Sequence, residues 1–241
     1  MSDSVLNMIK RMDVPEAPEK KPIQSLIFGF GHRARSGKDS VVAAIIADRG
    51  HLYDVRRYSF ASELKREVNQ AALACGGMER LFTQPQEYVQ ENGNFLELPD
   101  WVVYDPEAPM DDPECGLGKQ RLFLQWYGGE FRRGANPNYW INKLAQKISE
   151  EKPEIALVSD VRYLNEILFV QKYGETIKVE RPDLPSLKGA AGVHASELAL
   201  AEFDGWDAVI KNSGTLEDLR DEALFTFDML MSSVPNTRST S

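Results

Sequence analysis

Residues Ser25 to Ser40 read SLIFGFGHRARSGKDS, an apolar run that ends in glycine and gives way to a polar turn. The run is short enough for a buried strand, and the stretch Asp39 to Arg49 that follows the turn carries helical spacing. Strand, glycine-containing turn and helix in that order point backbone N–H groups inward at a helix N-terminus. A lysine there adds a mobile cation, and the whole becomes a cradle for phosphate groups. Gly37 and Lys38 fit this design. The usual pattern places a glycine five positions before the Gly-Lys pair and a serine or threonine directly after it. Here those positions hold His32 and Asp39. Gly31, one residue earlier, is expected to serve through a turn one residue longer, and Ser40, two after the lysine, is the nearby hydroxyl. The alternative is a surface turn that Gly and Lys merely mark.

Reading outward, Tyr53 to Phe60 is predicted as a second strand and Ala61 to Ala74 as a helix with Leu64, Val68, Ala71 and Ala72 on one face. The order βαβα argues a parallel sheet. Gly76 to Gly118 is rich in acids, prolines and aromatics, with Trp101-Val-Val-Tyr104 as its one strand-like run. Helices are expected over Arg121 to Phe131, Pro137 to Ser149, Tyr163 to Tyr173 and Leu216 to about Met231. Strands are expected at Glu154 to Ser159, Glu175 to Val179 and Asp207 to Ile210. The fold class is therefore α/β, a P-loop NTPase-type parallel sheet flanked by helices, with an acidic loop-rich insertion and a lid segment. Residues 1–22 read as an appended helix and linker, 23–231 as the domain (insertion about 76–119, lid about 181–200) and 232–241 as a disordered tail.

At 241 residues the chain can bury a core, and its 42% hydrophobic content excludes wholesale disorder. The net charge of −9 is localised, because Gly76 to Lys119 holds ten acids against Arg80 and Lys119, a net −8. The rest is near neutral and can gather cations in one place. A broad basic face for nucleic acid is not expected, nor is a membrane span. The N-terminus lacks the apolar run of a signal peptide, so a cytoplasmic protein is expected. Cys75 and Cys115 have no pairing or zinc-ligand spacing.

Seven pieces, in this order, resemble the deoxynucleoside monophosphate kinases of tailed phages and their bacterial relatives. They are RSGKDS (Arg35 to Ser40), FASELK (Phe60 to Lys65), RLFLQWYGGEFRR (Arg121 to Arg133) with Trp140 beyond it, SDVRYLNE (Ser159 to Glu166), ERPD (Glu180 to Asp183), HASE (His194 to Glu197) and KNSGTLEDL (Lys211 to Leu219). The resemblance implies transfer of a phosphoryl group from ATP, with Mg²⁺, to a deoxynucleoside monophosphate in the cytoplasm, the host's if the chain is phage-encoded. It places Gln125 near the substrate base, Lys65 near its phosphate, and Asn212 beside the donor adenine. The partners implied are small-molecule nucleotides, with a homodimer as the one oligomer entertained.

The residues themselves leave paired readings. Arg35, Ser36, Gly37, Lys38, Asp39 and Ser40 form the donor loop. Asp160, after a buried strand, sits where such sheets present groups to ligands, and with Ser40 would serve Mg²⁺; its alternative is a cap for the following helix. Arg162 at the same edge suits phosphate oxygens or is a solvated helix-end charge. Arg132 and Arg133 follow a helix, and one of them is expected to reach the acceptor phosphate. Trp140, Tyr127 or Tyr139 would pack on the sugar. Arg181 is the expected lid cation, while His194 is read as a structural hydrogen-bonder rather than a general base. Competing functions are another small-molecule P-loop kinase, of the phosphomevalonate or dephospho-coenzyme A type, and a non-catalytic nucleotide-binding module.

Overall fold

The computed structural model describes residues 23–33, 35–83, 97–108, 120–182, 200 and 202–233. These divide into two compact units, one within Ala61–Lys143 and one made of Lys21–Phe60 with Leu144–Ser241. The second holds a five-stranded sheet. Its strands are β1 (Leu26–Gly31), β2 (Val55–Tyr58), β3 (Ile155–Val161), β4 (Gly174–Glu180) and β5 (Ala208–Lys211), in the spatial order β2-β3-β1-β4-β5. Every pairing is parallel. All five carboxyl ends therefore lie along one edge. Because the chain runs from β1 past β3 to β2 and later from β3 past β1 to β4, the order reverses at β1/β3, where such sheets open a crevice for ligands.

Parallel strands are covered on both faces and so read as continuous apolar runs. Helices α1 (Lys38–Arg49) and α7 (Leu216–Ser233) take one face: Val41, Val42, Ile45, Leu219 and Phe227 join Phe28, Phe30, Leu157, Ile177 and Val179 in the core. Phe28 and Phe227 meet with ring centroids 5.2 Å apart. Helix α6 (Leu164–Tyr173) takes the other face, where a side chain on Gly29 would strike Val170 within 2.8 Å. The glycine in this otherwise apolar strand is a packing requirement.

The first unit is helical and aromatic. It contains nearly all of α2 (Phe60–Ala74), α3 (Met78–Thr83), α4 (Arg121–Gln125), the π-helix Trp126–Arg133 and the start of α5 (Tyr139–Glu151). Phe82, Tyr104, Phe123 and Tyr127 form a chain of rings with centroids 5.0–5.6 Å apart.

Three sequence expectations change. Trp101 to Tyr104 forms no strand: Val102 donates its backbone N–H to Pro99 at 2.9 Å and is buried, while Trp101 and Val103 are exposed. The helix predicted over Arg121 to Phe131 turns into a π-helix after Gln125, at a Gly128-Gly129 pair of low helix propensity. Strand β3 runs two residues beyond Ser159 and carries Asp160 within it. The expected N-terminal helix, the tail and most of the lid lie outside the described residues. No helix among the described residues is long and apolar enough to cross a membrane.

Candidate functional site

The loop after β1 departs from expectation in an informative way. Gly31 is the last residue of the strand, and it is not the turning residue. The positive φ values fall at His32 (95°), Arg35 (64°) and Gly37 (104°). His32 thus adopts the left-handed backbone at the position where the usual pattern has glycine. The cost for a residue with a Cβ is about 1–3 kcal/mol, tolerated only where surroundings impose it. No one-residue extension is needed. Gly31 is required for another reason, since the Trp206 ring occupies the space its side chain would fill.

Lys38, the first residue of α1, is buried. Its ammonium donates to the carbonyl oxygens of His32, at 3.2 Å, and Arg33, and lies 3.4 Å from Ser36 Oγ. These three partners are neutral groups of the turn itself. Asn212, just beyond β5, donates its amide to the Ser36 carbonyl at 2.9 Å, and the same group closes over Gly37. Asn212 is therefore a brace on the loop. Ser40 and Asp39 are exposed in the first turn of α1, and Asp39 pairs with Arg57.

His32 is half-buried with its Nδ1 enclosed and unpartnered. Burial first, then Lys178, Arg33 and Lys38, hold its imidazole below the ordinary 6.5, with Glu180 opposing. Lys178 in turn bonds Glu180 at 3.0 Å, which draws that carboxyl below its usual range.

At the β1/β3 crevice the register slips: Gly29 pairs with Val158, but Gly31 with Val161. A side chain on Gly29 would meet Val161 as well as Val170, so Val158 and Val161, three residues apart, face the same helix. The alternation breaks at Ser159 and Asp160, as a bulge re-aims a side chain beside a site. Asp160 Oδ1 accepts the backbone N–H of Phe60 at 2.8 Å and so caps α2, rather than the helix that follows it. The cap of α6 belongs to Glu166, 1% exposed, which accepts the N–H groups of Arg162 at 2.7 Å and Tyr163 at 3.1 Å. Arg162 is half-buried at the same edge, and Arg181 is exposed just beyond β4. The sheet unit therefore brings Lys38, Asp160, Arg162, Arg181 and Asn212 to one edge. His194 and Glu197 lie outside the described residues.

The helical unit carries the other candidates. Lys65, Gln125 and Arg133 are half-buried on α2, α4 and the π-helix. Arg132 is held in place: its Nη2 pairs with Glu67 and bonds the Tyr127 hydroxyl at 2.9 Å. Its guanidinium lies 4.8–5.2 Å from the ring centroids of Tyr127, Phe131 and Tyr139. Burial works against its charge, but Tyr127, Glu67 and Tyr139 outweigh that and raise its pKa above the ordinary value. Trp140 is 2% exposed, and its indole N–H donates to the Gly128 carbonyl at 2.9 Å. As placed it supports the π-helix from within and presents no open ring face to a sugar or base; Tyr127, 0% exposed, is equally enclosed.

Sequence reasoning missed Glu67 and Trp206. Neither position carries a local signal, since a glutamate on a helix and a tryptophan in a loop acquire these roles only through partners 60 to 175 residues away.

No protein-family model and no curated protein matches the chain. Among solved structures, a dephospho-CoA kinase from Campylobacter jejuni aligns with TM-score 0.46 and 15% identity, covering 86% of this chain and 98% of that one. A sugar kinase from Janibacter sp. aligns with TM-score 0.39 and 8% identity, covering 86% and 97%. At these values the likeness is distant.

Proposed function

We propose that this chain is an ATP-dependent phosphotransferase that passes the γ-phosphoryl group of ATP to the phosphate of a deoxynucleoside monophosphate. The observation that carries the phosphotransferase reading is Lys38, buried inside a turn built by His32, Arg35 and Gly37 at the start of α1. A buried lysine that reaches back to the turn's own carbonyls is poised to swing toward an anion, and the turn's N–H groups and the helix terminus add positive potential for the same ligand. Gly37 and its brace Asn212 maintain that geometry.

The acceptor clause rests on cations beyond those a donor needs. Lys65, Arg132 and Arg133 all belong to the helical unit and are half-buried there, and the resemblance places Lys65 near the acceptor's phosphate. The deoxyribose clause rests on the resemblance of the ordered motifs. In the reaction an oxygen of the acceptor phosphate forms a bond to the γ-phosphorus as the bridging β–γ oxygen departs with ADP, in line. Positioning and charge neutralisation supply the catalysis, with Lys38 turning from the loop carbonyls to the phosphate oxygens. One hydroxyl and one carboxylate, Ser40 and Asp160, suit a Mg²⁺ that keeps water and phosphate as its other ligands; when bound it would neutralise charge on the phosphates. Asp160 has one oxygen tied to Phe60, which fixes its orientation for that task.

The test is ADP release with ATP and Mg²⁺ across all deoxy- and ribonucleoside monophosphates, with phosphomevalonate and dephospho-coenzyme A alongside. Turnover of at least one deoxynucleotide in preference to its ribonucleotide is expected. Turnover of only the last two substrates would transfer the assignment to another small-molecule kinase. Equal use of both sugars would remove the deoxyribose clause, and ATP binding without any turnover would make the chain a binding module.

A further inference from the structure

Glu67 is an unusual carboxylate for a helix in the middle of an aromatic unit. Its side chain is 13% exposed. One oxygen accepts the Tyr127 hydroxyl at 2.8 Å and faces Arg132, and the other accepts the Tyr139 hydroxyl at 2.8 Å. The three donors come from two elements: the π-helix supplies Tyr127 and Arg132, and the start of α5 supplies Tyr139. Each satisfies a lone pair of a charge that would be costly to bury alone. The two hydroxyls would still solvate the carboxylate if the arginine's bonds were redistributed.

Arg132 is not satisfied in the same way. Its Nη2 is used by Glu67 and Tyr127, but its Nε is buried with no acceptor. A buried donor without an acceptor is a standing cost that native structures rarely carry without reason. The rings of Tyr127, Phe131 and Tyr139 restrain the guanidinium plane. Nε and Nη2 share one edge of that plane, so an anionic oxygen beside Nε would complete the set of partners that Glu67 begins.

We propose that Glu67, with the hydroxyls of Tyr127 and Tyr139, is a positioning group that holds Arg132 to receive one oxygen of a phosphate at its Nε edge. This deepens the function proposed above, from which it takes the identity of the anion as the acceptor's phosphate. It selects Arg132 over Arg133 for that contact. Trp140 and Gly128 brace the π-helix that carries Arg132: the indole bonds the Gly128 carbonyl, and a side chain on Gly128 would strike Leu64.

The test reads the guanidinium directly. In protein labelled with ¹⁵N-arginine, the Nε–H resonance of Arg132, assigned by its absence in Arg132→Lys, is followed during titration with inorganic phosphate at constant ionic strength. The signal is expected to move, and Glu67→Gln to weaken the apparent affinity at that signal by about tenfold. Tyr139→Phe, which removes one donor to the carboxylate and keeps the ring, should weaken it by a smaller factor and serves if Glu67→Gln does not fold. In steady state the same variants should raise KM for the acceptor while leaving KM for ATP unchanged. An Arg132 signal that stays still while phosphate shifts other arginine signals would overturn the assignment, as would tighter binding by Glu67→Gln, which would make Glu67 a competitor. The two readings separate cleanly. A moving Nε signal without turnover of any deoxynucleotide keeps this site and sinks the kinase substrate; turnover with a still signal does the reverse.

Discussion

Lys38 and Arg132 are both enclosed cations, yet they are held in opposite ways. Lys38 rests on backbone carbonyls and a hydroxyl, in a loop shaped by positive-φ residues. Arg132 rests on a carboxylate, one tyrosine hydroxyl and three ring faces. Backbone carbonyls can hand an ammonium over to an incoming polyanion, whereas Arg132 can take a new anion only beside the carboxylate it already pairs with. The first is therefore suited to capturing charge and the second to orienting a group that arrives. One consequence is that deleting Lys38 should damage the chemical step, while disturbing the Arg132 set should damage acceptor binding.

The largest effect should follow Lys38→Ala, with kcat reduced by about 10²–10³ and the fold retained, as is typical for losing one donor to transition-state charge. Near-normal kcat in a folded variant would break the comparison at its first term. Asp160→Asn should come next, with kcat reduced roughly tenfold or more and the thermal midpoint little changed, because an asparagine Oδ1 can still accept from Phe60 while the charge is gone. A lower midpoint with unchanged specific activity would instead leave Asp160 as a cap for α2 alone.

Asn212→Ala sharpens the donor side. Loss of its bond to Ser36 should lower stability by about 1 kcal/mol. If the residue acts as a brace, inhibition by inorganic tripolyphosphate should weaken by the same factor as ATP binding. If it packs on adenine, only ATP should suffer.

The smallest effect is expected at His32→Gly, read as a pH profile. Burial and the neighbouring cations favour the neutral imidazole in the folded chain, so below the ordinary value of 6.5 the unfolded chain binds more protons. Stability from this residue is therefore full above about 6.5 and is lost as pH falls through the lower folded value. The variant should flatten that part of the curve, with the midpoint at pH 8 shifted by no more than the equivalent of about 1 kcal/mol. Relief of the left-handed backbone and the added freedom of glycine in the unfolded chain oppose each other there. An unchanged acid slope would mean that another group sets it.

The sheet, its parallel sense and the Gly-Lys turn between its first strand and first helix were all legible in the sequence, because each rests on local signals. Continuous apolar runs bounded by turns specify buried strands, and Gly-Lys between such a strand and a helical pattern specifies the loop. That Asp160 lies near the carboxyl end of a strand is also a matter of local order. What lay beyond reach depends on groups distant in the chain. That His32 takes the left-handed turn follows from its confinement between Gly31, under Trp206, and the Lys38 ammonium that bonds its carbonyl. Asp160 caps α2 rather than the next helix because Glu166 reaches back to the N–H groups of Arg162 and Tyr163 and so takes the nearer cap. Trp140 faces inward because the π-helix leaves the Gly128 carbonyl for its indole. Short-range patterns report how a segment meets water, which the sequence alone carries. Which polar group satisfies which is a competition among all the donors that the fold collects, and only the tertiary structure decides it.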